Sequence, residues 1–217
     1  MKKLLFIPIL FIVFSCSPGL RIQNTYQSGE IDFNHLHNGK IAIYGVNSIT
    51  LNEFKNTFKD EYSDTAKLND KILSTFNQEF KKLIPSVTSV EENEKIPSGL
   101  TGEFSFKEDN SREISGFFNT LQTDYLIFIN NISVGNTYDS YTYSTGNGIM
   151  YSGSMENCVV SMEVELWNVQ QEKRLMKFRA GGEETVFLFS YLAALNGAIE
   201  NSVNSAVEFL KNNGSVN

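Results

Sequence analysis

The feature that most constrains the fold is a run of five residues at 125–129, YLIFI, in which every side chain is apolar. A strand with one face in water alternates apolar and polar residues, whereas a strand buried on both faces is apolar throughout. The run therefore predicts a central strand. Its sheet must be covered by other elements on both faces.

Two earlier strands are predicted, and each is followed by a helix. Residues 40–46, KIAIYGV, and residues 87–90 are short apolar runs typical of buried strands. Pro85 stops the first helix, and the capping-box pair Asn110 and Glu113 begins the second. The apolar faces of these helices contain Leu68, Ile72, Phe76, Phe80 and Leu83 in the first and Ile114, Phe117, Phe118 and Leu121 in the second.

The last third of the chain predicts two more strands and a closing helix. Residues 160–167 alternate apolar with polar side chains, which indicates a strand with one buried and one more solvated face. A turn at 168–173 leads to a returning strand at 174–180. The apolar face of the C-terminal helix contains Leu195, Ile199, Val203, Ala206 and Leu210.

Together these patterns give the order β-α-β-α-β-β-β-α. We therefore expect an α/β fold, with a single mixed β-sheet packed against helices over residues 39–213. Residues 51–62 show a weaker helical period, and the sequence leaves the secondary structure of this segment open.

The first 16 residues have the pattern of a bacterial lipoprotein leader. Lys2 and Lys3 precede an apolar run of 11 residues at 4–14, which is too short for a membrane-spanning helix of about 20 residues. The run leads into Val-Phe-Ser-Cys, which resembles the lipobox, with an aliphatic residue three positions before the cysteine and a small one directly before it. We expect residues 1–15 to be a signal peptide and Cys16 to be acylated. The alternative is a plain secretory signal that ends near a cysteine.

Acylation would place the protein in the cell envelope. Ser17 is not the aspartate that retains lipoproteins in the inner membrane of enteric bacteria, so we expect the outer membrane, with the domain facing the periplasm. Two or more acyl chains hold a protein firmly to a bilayer. Residues 16–38 are polar without a sustained period and predict a flexible tether.

The net charge argues against a nucleic-acid partner, and the cysteine content argues against a disulfide bond within the chain. The net charge is −7, and removal of the two leader lysines gives −7 − 2 = −9. Such a chain is repelled by phosphate backbones, so we expect no nucleic-acid partner. Once Cys16 is acylated, Cys158 has no cysteine in the chain to pair with. Its strand parity with Val160 predicts a buried thiol.

Four features together resemble a known group of proteins: the lipobox, K-I-A-I at 40–43, T-D-Y-L-I-F-I at 123–129 and V-V-S-M-E-V-E-L-W-N-V at 159–169. They are similar to small periplasmic lipoproteins related to the curli-secretion lipoprotein and to the lipoprotein activators of peptidoglycan synthases. The resemblance covers roughly residues 40–210. It implies an α/β sandwich that serves as an assembly or regulatory module.

The sequence carries no motif for catalysis, and we expect no enzyme activity, cofactor or metal. The two histidines, His35 and His37, are too few for a metal site without further ligands. There is no G-x-S-x-G motif. Glu163 and Glu165 lie on one strand face, whereas glycosidase carboxylates oppose each other across a cleft. Gly181-Gly182 lacks a phosphate-loop pattern and predicts a bend.

The segment at 136–156 is the best candidate for a binding site. It carries Tyr138, Tyr141, Tyr143 and Tyr151 among serine, threonine and glycine, a composition that gives adaptable contact area in antibody loops. The turn at 145–148 predicts a hairpin that protrudes from the sheet. A partner-binding hairpin and a solvated loop remain open, while membrane insertion is disfavoured because charged and polar residues interrupt the alternation.

A second apolar segment, VFLFSYL at 186–192, precedes the C-terminal helix. We expect it to pack between sheet and helix; if part of it is exposed, it marks an interface. The leading functional hypothesis is a membrane-anchored lipoprotein that acts as a scaffold or regulatory module for another envelope protein. The alternative is a subunit of an oligomeric secretion pore. An envelope hydrolase is disfavoured.

Overall fold

The computed structural model describes residues 21–27, 36, 39–45, 49–51, 62, 65–83, 87–89, 111–188 and 190–213. These residues form three helices and seven strands. In chain order the elements are β1 (Arg21–Gln27), β2 (Ile41–Gly45), β3 (Ile49–Leu51), α1 (Thr65–Leu83), β4 (Val87–Ser89), α2 (Ser111–Thr120), β5 (Tyr125–Ser144), β6 (Met150–Asn168), β7 (Lys173–Thr185) and α3 (Tyr191–Asn213).

All seven strands belong to one mixed sheet with the order β1-β7-β6-β5-β2-β4, and β3 pairs with β5 beyond the end of β2. The pairs of β2 with β4 and of β2 and β3 with β5 are parallel, and the others are antiparallel. The predicted α/β class with a single mixed sheet is confirmed. The predicted order β-α-β-α-β-β-β-α corresponds to the observed elements β2, α1, β4, α2, β5, β6, β7 and α3.

Helices α1 and α3 cover one face of the sheet and build the main core with it. Phe76 and Phe80 of α1 and Ile199 and Val203 of α3 lie in this core at 0–1% exposure. Gly182 of β7 allows α3 to approach closely, because a Cβ at this position would lie 2.1 Å from the backbone nitrogen of Ser202. The bend predicted at Gly181-Gly182 is wrong, since β7 continues through both residues to Thr185.

A smaller core lies on the opposite face, beneath α2. Phe117 and Phe118 of α2 pack there against Leu126 and Phe128 of β5 and against Trp167 of β6. The run at 125–129 is therefore covered on both faces, as predicted. The same helix makes the predicted solvated face of β6 wrong at its C-terminal end, where Glu165 and Trp167 are completely buried.

The predicted tether at 16–38 is wrong in part. Residues Arg21–Gln27 form β1, which pairs with β7 and is the edge strand on that side of the sheet. An edge strand contacts the core with few side chains, so its sequence need not alternate; here Ile22 packs against the main core. Leu36 is also buried, at 3% exposure. The leader, Cys16 and the remaining tether residues lie outside the described residues.

Candidate recognition surface

Strands β5 and β6 continue beyond the sheet as a two-stranded hairpin. Their Cα pairing runs without interruption from Asn136 opposite Cys158 to Ser144 opposite Met150. Gly148, at φ 78°, helps to close the connecting turn, in which its amide donates to the Thr145 carbonyl oxygen at 2.9 Å. The structure thus places the segment predicted at 136–156 in a protruding hairpin.

Neighbouring strands end before the hairpin does. β3 ends at Leu51, opposite Val134 of β5, and β7 ends at Thr185, opposite Asn157 of β6. No described strand pairs with the outer edges of residues 135–144 or 150–156. At the base of the hairpin the Glu156 carbonyl oxygen accepts from the Val186 amide at 2.8 Å. Beyond that bond, no described strand lies beside residues 139–144 or 150–155.

Three of the four predicted contact tyrosines lie on one face of this hairpin. Tyr143 is directly opposite Tyr151, and their rings stack with centroids 5.2 Å apart and planes inclined by 15°. Tyr141 stacks on Tyr143 with centroids 6.4 Å apart. The Tyr141 ring lies over Gly153, where an added Cβ would come within 2.5 Å of its hydroxyl. We call Tyr141, Tyr143 and Tyr151 the tyrosine ladder.

Tyr138, the fourth predicted tyrosine, belongs to the opposite face. Its hydroxyl donates to Glu156 Oε1 at 3.2 Å, and Asn136 Nδ2 donates to the same oxygen at 2.7 Å. The Tyr191 hydroxyl at the start of α3 donates to Glu156 Oε2 at 2.9 Å. The Glu156 carboxylate therefore joins the hairpin base, including Tyr138, to α3.

A second polar contact braces the base on the ladder face. The side chain of Asn157 is 2% exposed, and its Nδ2 donates to Asp139 Oδ2 at 2.7 Å and to Glu183 Oε1 at 2.6 Å. These bonds connect both hairpin strands to β7. The hairpin is thus fixed at its base on both faces, although it extends beyond the sheet.

The exposed large apolar and aromatic side chains of the described residues concentrate at this end of the molecule. Between residues 140 and 155 the hairpin carries no charged residue. Leu51 flanks its base on the β5 side, and Phe187 and Leu188 flank it on the β6 side. The set consists of Leu51, Tyr138, Tyr141, Tyr143, Ile149, Met150, Tyr151, Met155, Phe187 and Leu188. The sequence analysis predicted only the four tyrosines as contact residues.

The segment at 186–192 is divided between core and surface. Val186 packs against the main core and Tyr191 is buried, as predicted. The prediction is wrong for Phe187 and Leu188, which are 71% and 78% exposed. Leu188 has a φ of 49°, a conformation that a branched side chain rarely adopts.

The free cysteine of the described residues lies beneath this surface. The Cys158 thiol is buried beneath the hairpin base, and burial, with a smaller effect of the Glu156 carboxylate, raises its pKa to about 12. A thiol with such a pKa stays protonated and unreactive. Among the described residues, no three histidine, cysteine, aspartate or glutamate side chains are grouped to hold a metal ion. His35 and His37 lie outside the described residues.

One buried carboxylate lies elsewhere, on the face covered by α2. Glu165 Oε2 accepts a hydrogen bond from Trp167 Nε1 at 3.0 Å. Its Oε1 forms ion pairs with Lys177 Nζ at 3.3 Å and Arg174 Nη1 at 3.6 Å. Burial raises the pKa of Glu165, and the two cations only partly offset that effect. These contacts link β6 to β7 within the sheet.

None of the described helices combines the length and the apolar character needed to cross a membrane. No protein-family model and no curated protein sequence matches the chain.

Several solved structures have a similar arrangement of elements. A PelC dodecamer from Paraburkholderia phytofirmans is 12% identical, with 86% of this chain and 96% of that chain covered and a TM-score of 0.38. A putative neuraminyllactose-binding hemagglutinin homolog from Helicobacter pylori is 10% identical, with coverage of 81% and 86% and a TM-score of 0.43. The hypothetical protein CT253 from Chlamydia trachomatis is 8% identical, with coverage of 81% and 94% and a TM-score of 0.39. Similarities of this size assign neither a family nor a function to this chain.

Proposed function

We propose that the protein is a lipoprotein anchored through Cys16 to the outer membrane and facing the periplasm. Its α/β domain binds another envelope protein through the hairpin, as a scaffold or regulatory module. The observation that supports this proposal is the concentration of exposed apolar and aromatic side chains on and around the hairpin. Large apolar side chains that are exposed together at one end of a domain mark an interaction site.

The chemistry of the hairpin suits a protein partner. Tyrosine combines a large apolar ring with a hydroxyl that can form hydrogen bonds, and it is enriched at protein interfaces. The ladder holds three such rings in fixed positions, so that little side-chain freedom is lost on binding. Tyr138 lies outside the ladder, on the opposite face of the hairpin, where its hydroxyl donates to Glu156.

Affinity capture from the native envelope with the intact lipoprotein tests the proposal. Changing Tyr141, Tyr143 and Tyr151 together to serine should abolish recovery of the partner. Tyr138→Ser is the matched control, because it removes an exposed tyrosine of the same hairpin from the other face. Undiminished capture by the triple variant, or a loss confined to the control, would show that the ladder is not the binding site.

The second candidate function is a subunit of an oligomeric secretion pore. The hairpin edges at 139–144 and 150–155 favour it, because no described strand lies beside them and copies of a strand pair can associate side by side through such edges. Size-exclusion chromatography of the domain separates the two functions. A monomer or dimer supports the binding module, whereas a large ring supports the pore.

A further inference from the structure

We infer that the partner of the hairpin supplies an extended segment, which joins the sheet as an added strand along the edge of β6 at residues 150–155. The inference rests on the proposed function, in which the hairpin binds another envelope protein. It names the form of the bound segment: a strand of about six residues, held mainly through its backbone.

The first argument is the direction of the backbone groups of β6. In an antiparallel pair, residues that bond to the partner strand alternate with residues whose N–H and C=O point to the outer edge. At the hairpin tip the Thr145 amide donates to the Ile149 carbonyl oxygen at 2.9 Å, so Ile149 faces inward. At the base the Glu156 carbonyl oxygen accepts from the Val186 amide, so Glu156 faces outward. Both bonds give the same alternation. The residues between them that face the outer edge are Met150, Ser152 and Ser154.

The second argument is that the chain leaves the position beside these residues. β7 runs antiparallel to β6 and ends at Thr185, and Val186 adds one more bond to β6. The chain then turns at Leu188, whose φ is 49°, into α3, where Tyr191 is buried. Among the described residues, none pairs with this edge of β6 beyond Glu156. The line of β7 therefore continues as a position that an incoming strand can take.

The third argument is that this edge lacks the features that protect an edge strand. Such features are charged side chains, proline, bulges and shortness. Residues 150–155, MYSGSM, contain neither a charge nor a proline, and their pairing with β5 has no register shift. The outermost strands of the described sheet differ, since β4 has three residues and β1 has a register shift between Gln23 and Tyr26. An unprotected edge of this length is a template for a further strand.

The side chains beside this edge indicate the composition of the added strand. On the ladder face it would lie beside Tyr151 and Met155, which are both exposed. On the other face it would lie beside the exposed hydroxyls of Ser152 and Ser154. Since successive side chains of a strand point to opposite faces, the segment should alternate apolar with small polar residues. Exposed Phe187 adds an apolar contact where the line of β7 ends.

The charge around the hairpin base favours a different protein over a second copy of this chain. Residues 135–160 and 180–192 contain no lysine, arginine or histidine. Their charged residues are Asp139, Glu156, Glu183 and Glu184. Like charges disfavour the approach of a second copy, whereas basic residues beside the added strand would be attracted. We therefore expect a partner segment with basic flanks.

Site-directed photo-crosslinking of the acylated protein in its native envelope tests this inference. p-Benzoyl-phenylalanine replaces Met150, Ser152 or Ser154 in turn, and mass spectrometry locates the residues that become attached on irradiation. We expect one segment of one partner, with attachment points that move along it by about two residues from each position to the next. Attachment to this chain would indicate a second copy, and points scattered over several segments would indicate side-chain contact alone. Either result would overturn the inference.

Proline substitution gives an independent measurement. Ser152→Pro removes an N–H that faces outward, so no bond within the hairpin is lost. Thr142→Pro is the matched control, because Thr142 is the Cα partner of Ser152 and its N–H faces the opposite edge. We expect S152P to lower partner recovery about tenfold, as loss of one hydrogen bond does, and T142P to leave it unchanged. Equal recovery by the two variants would overturn the inference.

The added strand and the proposed function fail in different ways. The proposed function fails if the wild type recovers no partner or if recovery ignores the ladder, and the inference fails with it. Recovery that depends on the ladder but not on proline at position 152 would refute the added strand alone.

Discussion

Tyr143 and Tyr151 are direct Cα partners across the hairpin, and their rings stack with centroids 5.2 Å apart. An aromatic pair in this relationship contributes roughly 0.2–1 kcal/mol to strand pairing. A two-stranded ribbon is at best marginally stable in water without such contacts. The same stacking therefore stabilises the hairpin and fixes the ring positions that a partner would meet.

Replacing Gly153 should disturb the ladder without unfolding the domain. In Gly153→Ala the new methyl group occupies the space of the Tyr141 ring end, which can move because it is the far end of an exposed side chain. We expect partner capture to weaken and the free energy of unfolding, from urea titration, to change by less than about 0.5 kcal/mol.

Gly146→Ala is the matched control, because a Cβ there meets no atom within 4 Å. It adds the same methyl group to the same hairpin and should leave capture unchanged. Equal capture by the two variants would mean that the position of Tyr141 does not matter for recognition.

The sequence predicts the order of elements well because β2 and β5 contain continuous apolar runs and α1 shows a clear helical period. Trp167 and Glu165 show where such reasoning stops. Their alternation indicates which side chains share a face of β6, but not that α2, more than 40 residues earlier, covers that face. Edge strand β1 escapes prediction because its position depends on pairing with β7, which leaves no periodic signal.

For the candidate site, composition identifies the four tyrosines but not their division between two faces. Successive residues of a strand point to opposite faces, so the sequence positions alone could have placed Tyr138 on the face opposite Tyr141 and Tyr143. The position of Tyr151 depends on the register across the turn, which the sequence alone does not determine. The prediction of a core position for Phe187 and Leu188 fails because an apolar run gives no sign of a residue with positive φ.

The Cys158 thiol should react slowly in the folded protein. Burial raises its pKa to about 12, so at pH 8 little thiolate is present to attack a reagent. We expect Ellman's reagent to modify Cys158 within minutes in urea and only over hours without it. Cys158→Ala should cost on the order of 1 kcal/mol of stability through lost packing. Rapid modification in native buffer would contradict the buried position.

Stability should depend on pH through Glu165. Its folded-state pKa is raised above the ordinary value of 4.5, so folding binds a proton to this carboxyl above that value. Its contribution to stability is therefore fully present below about pH 4.5 and is lost as the pH rises through the folded-state pKa. The stability of the wild type relative to Glu165→Gln, measured by urea unfolding, should fall from pH 4 to pH 7. A relative stability that increases with pH would indicate that Arg174 and Lys177 outweigh burial.

Cys16 should carry the lipid. Metabolic labelling with an alkynyl fatty acid should mark the wild type, and Cys16→Ala should lose the label because no other residue of the leader can be acylated in this way. Cys158→Ala is the matched control, since it removes the only other cysteine and should keep the label. A labelled Cys16→Ala variant would refute the predicted anchor.

The hairpin should be dispensable for folding. Replacing residues 137–154 by a short Asn-Gly turn removes mainly exposed side chains and shortens a loop, and the entropy of loop closure changes slowly with length. Glu156 keeps its bond to Tyr191, and Asn157 loses Asp139 but retains Glu183. We therefore expect the melting temperature, followed by circular dichroism, to remain within a few degrees of the parent, while partner capture falls sharply. Unfolding of the trimmed protein would mean that the tyrosines support the core. Undiminished capture would move the interface away from the hairpin, and Phe187 and Leu188 would be the next residues to test.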